Sequence, residues 1–153
     1  MEKVSKYLYF LVSFVLFVWA TLWTSGFLAE EVARGLKISN PVFTLTSVQN
    51  SGAAFSLMQN MREVLIILAA AALTLIFLYV IKNIFTLSFK YLFFTALLCA
   101  GIFGNLHERI QLGYVRDFFE LNFINFPVFN VADIMINIGV ITLVIMILVR
   151  KTK

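Results

Sequence analysis

The 153-residue sequence is 61% hydrophobic and 13% charged, with a formal net charge of +4, and its mean hydropathy is +0.95. Soluble domains contain roughly 45–50% apolar and about 25% charged residues, so this composition excludes a soluble globular domain. The apolar runs are long and continuous rather than alternating, which excludes a transmembrane β-barrel. We therefore expect an integral membrane protein with helical spans, and the positive charge is interpreted as a topology signal rather than as a sign of nucleic-acid binding.

Four apolar stretches are long enough to cross a bilayer as helices, because a span needs about 20 residues. They cover residues 7–28, 64–81, 89–106 and 134–149. The first stretch follows a basic start, as a signal peptide would, but it is too long and lacks a small-x-small cleavage pattern, so we expect it to be retained. The predicted fold is all-α and integral to the membrane, a single domain over 1–153 with extracytoplasmic segments over 29–63 and 107–133.

The basic residues lie mainly on the side of the predicted termini. Because the number of spans is even, both termini lie on one side, which holds seven basic residues and one acidic residue. The opposite side holds five basic and seven acidic residues. Cytoplasmic loops carry the excess of Lys and Arg, so we expect both termini in the cytoplasm. The residues counted on the terminal side are Glu2, Lys3, Lys6, Lys82, Lys90, Arg150, Lys151 and Lys153.

Three polar clusters fall on the predicted extracytoplasmic face. They are NSGAAF (50–55), which follows a β-branched stretch over 42–49 that favours a strand, GNLHER (104–109), and a segment that contains Asp117 and Asp133. A carboxylate at the mouth of a span is costly unless it is paired or used. Two carboxylates brought together by the fold can share a proton and activate a water, so this pair is the candidate for catalysis.

Each candidate also has a purely structural interpretation. Asn130 can cap a helix with Asp133 in its first turn, where the helix dipole favours a carboxylate. Asp117 can form a surface ion pair with Arg109 or Arg116.

Similar alternatives hold for the other polar residues. His107 can act as a general base or be a solvated or capping residue. Asn50 and Asn105 can bind substrate backbone or satisfy turn carbonyls. Phenylalanines of the two-aspartate segment are expected to pack against lipid, namely Phe118, Phe119, Phe123, Phe126 and Phe129. Cys99 lies in an apolar run and is interpreted as a small hydrophobe, and a single histidine excludes a multi-histidine metal site.

Taken together, the motifs resemble the lipoprotein signal peptidases (signal peptidase II), which are membrane aspartyl proteases. The match comprises NSGAAF at 50–55, GN…R at Gly104, Asn105 and Arg109, DF at 117–118 and FPVFNVAD at 126–133. Span count, segment order and topology also agree, so the resemblance covers nearly the whole chain. The NxGxAF pattern alone would be weak, but FNxAD at the head of the last span with an upstream DF makes the combination specific.

The resemblance implies four transmembrane helices with a small extracytoplasmic β-rich cradle, and catalysis by Asp117 and Asp133. It implies that substrate is held by Asn50, Gly52, Asn105, Arg109 and Asn130, with support from Glu108, Phe129 and Ala132. Family members remove the signal peptide from diacylglyceryl-modified prolipoproteins in the bacterial cytoplasmic (inner) membrane, cutting on the amino side of the lipidated cysteine. We expect these substrates and membrane lipid as partners, a monomer, no nucleic acid, no cofactor and no metal.

Two departures from the family pattern stand out. Members carry a DQxxK-like motif near the end of the first span, whereas the corresponding stretch here is Trp19–Trp23, which has neither acid nor lysine. The acidic residue before the arginine is Asp in the family and Glu108 here, and we expect it to pair with Arg109. The missing motif leaves an inactive paralogue as an alternative.

Two other classes of membrane protein remain as rivals. A small transport or assembly subunit would place carboxylates deep within facing spans, whereas the second and third spans are interrupted mainly by Thr74, Tyr79 and Cys99. A prepilin-type peptidase would place its aspartates on the cytoplasmic side, against the charge bias.

Overall fold

The computed structural model describes residues 2–52 and 58–151. Within these ranges the chain forms four helices and a two-stranded antiparallel sheet, and all four helices are long and apolar enough to cross a membrane. The predicted helical membrane fold with a small β element is therefore confirmed. In chain order the elements are α1 (Glu2–Ala33), β1 (Phe43–Asn50), α2 (Arg62–Asn83), α3 (Phe89–Leu112), β2 (Val115–Leu121) and α4 (Val131–Lys151).

Helix α3 is the central helix and packs against α1, α2 and α4. A Cβ atom on Gly101 would lie 2.5 Å from the backbone oxygen of Ala132, so α3 and the start of α4 touch backbone to backbone. Further along the same interface, a Cβ atom on Gly139 would lie 2.8 Å from Cβ of Leu98. Small residues allow such close helix packing in lipid, where no hydrophobic effect drives helices together.

Helix α3 is longer than the predicted apolar stretch of 89–106, because the polar GNLHER sequence continues the helix to Leu112. Gly113 then adopts φ 88°, a left-handed conformation that suits glycine. Its N–H donates to the carbonyl oxygen of Arg109 (3.2 Å) and closes the helix. Asn105 and Arg109 consequently lie on the last turns of a rigid helix rather than in a loop.

The sheet joins the segment after α1 to the segment after α3. Strand β1 was predicted over 42–49 and is confirmed at Phe43–Asn50, whereas β2 was not predicted. The antiparallel register pairs Val48 with Asp117, and a register shift lies between Leu45 and Val48. Asn50 pairs with Val115 and lies on the same face of the sheet as Val48, so its side chain is diagonally beside that of Asp117.

Candidate active site

A cavity of about 920 Å³ lies between α2, α3 and α4 and extends to the sheet. Asp117 from β2 and Asp133 from α4 both line it, together with Asn50, Asn105 and Arg109. The rest of its wall is mainly apolar and comes from α2, α4, the two strands and the segment 126–129 before α4. The fold therefore brings the two aspartates, sixteen positions apart in the chain, to one cavity.

Asp117 is buried, at 2% exposure. Its Oδ1 accepts a hydrogen bond from Nδ2 of Asn130 (2.8 Å) and its Oδ2 accepts one from Nδ2 of Asn50 (2.9 Å). Among the described residues Asp117 forms no ion pair with Arg109 or Arg116, contrary to the structural alternative considered for it. Both hydrogen bonds to this carboxyl group come from neutral amides, which do not balance the negative charge of its ionised form.

The environment of Asp117 raises its pKa to about 6. Burial is the largest cause, because desolvation penalises the ionised form, and the negative charge of Asp133 acts in the same direction. The hydrogen bonds from Asn50 and Asn130 and the charge of Arg109 lower the pKa but do not cancel the effect of burial. Asp117 consequently holds a proton at a pH where an ordinary aspartate has lost it.

Asp133 lies in the first turn of α4 and forms a reciprocal cap with Asn130. The backbone N–H of Asp133 donates to Oδ1 of Asn130 (3.0 Å), and the backbone N–H of Asn130 donates to Oδ2 of Asp133 (3.1 Å). This capping-box arrangement confirms the predicted capping role of Asn130. The other carboxyl oxygen, Oδ1 of Asp133, accepts a hydrogen bond from Nδ2 of Asn105 (2.7 Å). The cap fixes the carboxylate in the cavity, so the structural interpretation and a catalytic one are compatible.

Asn130 links the two carboxyl groups. Its Nδ2 donates both to Oδ1 of Asp117 (2.8 Å) and to Oδ1 of Asn105 (3.1 Å). Asn105 in turn donates to Asp133. The result is a continuous hydrogen-bonded series from Asp117 through Asn130 and Asn105 to Asp133, in which each amide restrains the next.

Arg109 ties the loop after β1 to α3. Its Nη2 donates to the carbonyl oxygen of Gly52 (2.7 Å), and the N–H of Gly52 donates to Oδ1 of Asn50 (3.0 Å). Asn50 is thereby oriented with its Nδ2 towards Asp117. The rest of the NSGAAF motif, residues 53–55, lies outside the described residues. Nε of Arg109 is buried and has no hydrogen-bond partner within the described ranges.

Glu108 pairs with Arg116 rather than with Arg109, so the predicted Glu108–Arg109 pair is wrong. Arg116 donates its backbone N–H to Oε2 of Glu108 (2.8 Å), and its Nε (3.0 Å) and Nη2 (2.6 Å) to Oε1. Ser25 of α1 adds a hydrogen bond from Oγ to Oε1 (2.5 Å). Consecutive helical residues point about 100° apart, so Glu108 faces α1 and β2 while Arg109 faces the cavity.

The stretch Trp19–Trp23 stands where the family carries its DQxxK-like motif. Its residues lie on two different faces of α1. Trp19 and Trp23 are 62% and 53% exposed and stack on each other (5.9 Å between ring centroids), so they face away from the helix bundle. Thr21 and Ser25 face α3 instead, since a Cβ on Gly104 would lie 2.9 Å from Oγ1 of Thr21. This inward pair was not predicted from the sequence, although two small hydroxyl residues four apart in an apolar helix were the available signal.

The supporting residues hold the segment before α4 in place. The carbonyl oxygen of Phe129 accepts from the N–H groups of Phe118 (3.0 Å) and Phe119 (2.9 Å). Phe118 was expected to face lipid, but it is 1% exposed because β2 turns it into the protein interior, whereas Phe123 is 63% exposed. Ala132, at 5% exposure, packs against α3.

His107 does not line the cavity. Its ring stacks on Phe103 (6.3 Å between centroids), and its Nδ1 is buried without a hydrogen-bond partner among the described residues. Across residues 2–52 and 58–151, no three His, Cys, Asp or Glu side chains come together as metal ligands.

Comparison with known proteins agrees with this arrangement. The family model described as Signal peptidase (SPase) II matches residues 6–149. The lipoprotein signal peptidase of Streptococcus thermophilus (strain CNRZ 1066) is 39% identical over 104 residues, which cover 68% of this chain and 67% of that protein. The lipoprotein signal peptidase of Enterococcus faecalis is 34% identical over 139 residues, which cover 90% of this chain and 85% of that protein.

The fold is similar as well. A bacterial membrane enzyme solved by the in meso method at 1.9 Å superposes with a TM-score of 0.77 at 27% identity, covering 91% of this chain and 92% of that one. A second such structure, at 2.3 Å, gives a TM-score of 0.76 at 26% identity and covers 92% and 89%. The chain therefore belongs to the signal peptidase II family of membrane aspartic peptidases.

Proposed function

We propose that this protein removes the signal peptide from diacylglyceryl-modified prolipoproteins, with Asp117 and Asp133 as its catalytic pair. The observation that carries the proposal is the amide-linked placement of these two carboxyl groups, through Asn130 and Asn105, in a mainly apolar cavity. Family membership supports the reaction class. The roles of the individual residues rest on the geometry.

The environment of Asp117 indicates how the two carboxyl groups divide the catalytic roles. The raised pKa of Asp117, about 6, makes it the member that retains the shared proton. Asp133 accepts hydrogen bonds from Asn105 and from the backbone N–H of Asn130, which hold both of its carboxyl oxygens in place in the cavity. We assign Asp133 as the general base and Asp117 as the general acid.

The reaction is a hydrolysis without a covalent enzyme intermediate. Asp133 takes a proton from a water, whose oxygen bonds to the scissile carbonyl carbon, while Asp117 donates its proton to the carbonyl oxygen. The tetrahedral gem-diol then collapses: one hydroxyl group returns its proton to Asp117 as the C=O bond re-forms, the C–N bond breaks, and the leaving nitrogen takes the proton that Asp133 received. The products are a signal peptide with a new carboxyl terminus and a lipidated cysteine with a free amino group.

The cavity suits a substrate that remains in the bilayer. Each buried methylene of an acyl chain contributes about 0.8 kcal/mol, so a diacylated protein does not leave the membrane easily. The aliphatic wall contributed by α2 and α4, which includes Leu65, Leu68 and Ile141, leads to the two aspartates. Membrane lipid is accordingly a partner of the outer helix faces, and since one chain supplies all these residues we propose that the enzyme works as a monomer.

We further propose that both termini lie in the cytoplasm and that the cavity opens at the extracytoplasmic face. Seven basic residues on the side of the termini, against one acidic residue, support this orientation. A single cysteine is present, Cys99, so labelling can test it. Lys153→Cys in a Cys99→Ser background should react with an impermeant maleimide only after the cytoplasmic side is opened.

The direct test of the function is a cleavage assay on purified protein. A diacylglyceryl-modified prolipoprotein should lose its signal peptide on the amino side of the modified cysteine, and an unmodified control should not. Cleavage of neither substrate, or equal cleavage of both, would contradict the proposed function.

A further inference from the structure

Asn137 is a polar residue in the cavity to which no role has been given so far. It follows Asp133 by four residues on α4, so the two side chains lie on the same face of the helix. Both line the cavity. At 1.5 Å of rise per residue, Asn137 lies about 6 Å further along the helix, deeper in the membrane than the carboxylate.

The side chain of Asn137 is exposed and makes no hydrogen bond with the part of the chain that the structure describes. It differs in this respect from Asn105 and Asn130, whose amides form hydrogen bonds to the aspartates and to each other. Its neighbours in the cavity wall are aliphatic, including Ile136 and Ile141. An amide in such surroundings is costly unless a partner accepts its hydrogens.

We propose that Nδ2 of Asn137 donates a hydrogen bond to a carbonyl oxygen of the acylated substrate. This inference rests on the proposed function, which puts the scissile peptide at Asp117 and Asp133. The ester carbonyls of a diacylglyceryl group are separated from that peptide by about seven bonds, which reach roughly 8 Å when fully extended. This reach is long enough to cover the one helical turn from Asp133 to Asn137.

Two carbonyl sources fit this chemistry, and the ester carbonyl fits it best. The aliphatic residues around Asn137 suit the acyl chains that continue from the ester. The second source is a peptide carbonyl in the segment before the scissile bond. In both cases the bond forms when substrate binds and persists through the reaction, so its loss should raise KM and leave kcat nearly unchanged.

The test compares the purified wild type with Asn137→Leu on two substrates, a diester prolipoprotein and its dialkyl ether analogue, which keeps the chains but lacks both ester carbonyls. Loss of one neutral hydrogen bond should raise KM for the diester about fivefold to tenfold. KM for the ether should not change if the ester is the acceptor. An equal rise for both substrates assigns the bond to a peptide carbonyl.

Thr142→Val is the matched control, because it also removes a polar group from α4 but lies outside the cavity lining. Unchanged KM for both substrates in Asn137→Leu would overturn the inference. It would also be overturned if the variant changed only the oligomeric state, since an exposed amide can also join two helices in lipid. Thermal unfolding checks the fold, and Asn137→Ala replaces Asn137→Leu if the latter is unstable. If the wild type cleaves neither substrate, the proposed function itself fails.

Discussion

Arg116 makes three hydrogen bonds to Glu108, one of them through its own backbone N–H. This contact joins β2 to α3 at the position immediately before Asp117 in the chain. Glu108 is 5% exposed, and its other partner is the hydroxyl of Ser25 from α1. The positive charge that balances this buried carboxylate therefore comes from β2, and the first helix contributes only a neutral donor.

We expect Arg116→Ala to lower kcat at least tenfold and to destabilise the protein by about 3 kcal/mol, because it leaves the buried carboxylate of Glu108 without a positive charge to balance it. Steady-state cleavage and thermal unfolding in detergent measure the two effects. Ser25→Lys should restore much of the lost kcat and much of the lost stability in the Arg116→Ala background, since position 25 already contacts Glu108. Full activity in Arg116→Ala, or no recovery in the double variant, would contradict this role.

The contact between α3 and α4 gives a second prediction. Gly101→Ala would place a methyl group 2.5 Å from the backbone oxygen of Ala132, so α4 has to move and carry Asp133 with it. We expect cleavage to fall by a factor of ten or more and the unfolding temperature to drop. Gly26→Ala is the matched control, because a Cβ there meets nothing within 4 Å. Equal behaviour of the two variants would show that the close approach does not position Asp133.

A third prediction concerns Asn130, which both caps α4 and links the carboxyl groups. Asn130→Ala should cost about 1 kcal/mol of stability through the lost cap and reduce kcat by a further factor of ten to a hundred. Ser88→Ala removes a comparable cap from α3, where Oγ accepts from the N–H of Tyr91 (3.2 Å). The Ser88 variant should lose similar stability but keep kcat. If both variants lose activity in proportion to stability, the linking role of Asn130 is excluded.

The pH dependence of cleavage follows from Asp117, because burial raises the pKa of this residue to about 6. If Asp117 acts as the acid, the protonated form is needed, so kcat/KM should fall tenfold per pH unit above about pH 6. The hydrogen bond from Asn50 lowers this pKa, and Asn50→Ala should therefore shift the fall in kcat/KM to higher pH. If kcat/KM rises with pH through pH 6 instead, Asp117 is the base.

Local sequence signals were sufficient for part of this molecule. Long apolar runs predicted the four spans, β-branched residues predicted β1, and the spacing of Asn130 and Asp133 at a helix start indicated the cap as one alternative. Strand β2 was not predicted, because VRDFFEL has two adjacent charged residues and lacks clean alternation. Its pairing depends on β1, more than sixty residues earlier.

The errors at Glu108 and Phe118 have the same origin. Glu108 and Arg109 are adjacent in sequence, yet the helical rotation turns them to different partners. Phe118 is one of many phenylalanines, and its burial depends on which face of β2 packs inward. Contacts of this kind are determined by tertiary packing, which composition and spacing do not specify.

We propose that Asp117 and Asp133 together perform the cleavage. The most direct measurement is the single-turnover cleavage rate of diacylglyceryl-modified prolipoprotein by purified Asp117→Asn and Asp133→Asn, beside Glu120→Gln, which neutralises an exposed carboxylate on the same strand. We predict that each aspartate variant remains folded and loses at least a thousandfold in rate while Glu120→Gln cleaves like the wild type. Near-wild-type cleavage by either aspartate variant would contradict the account.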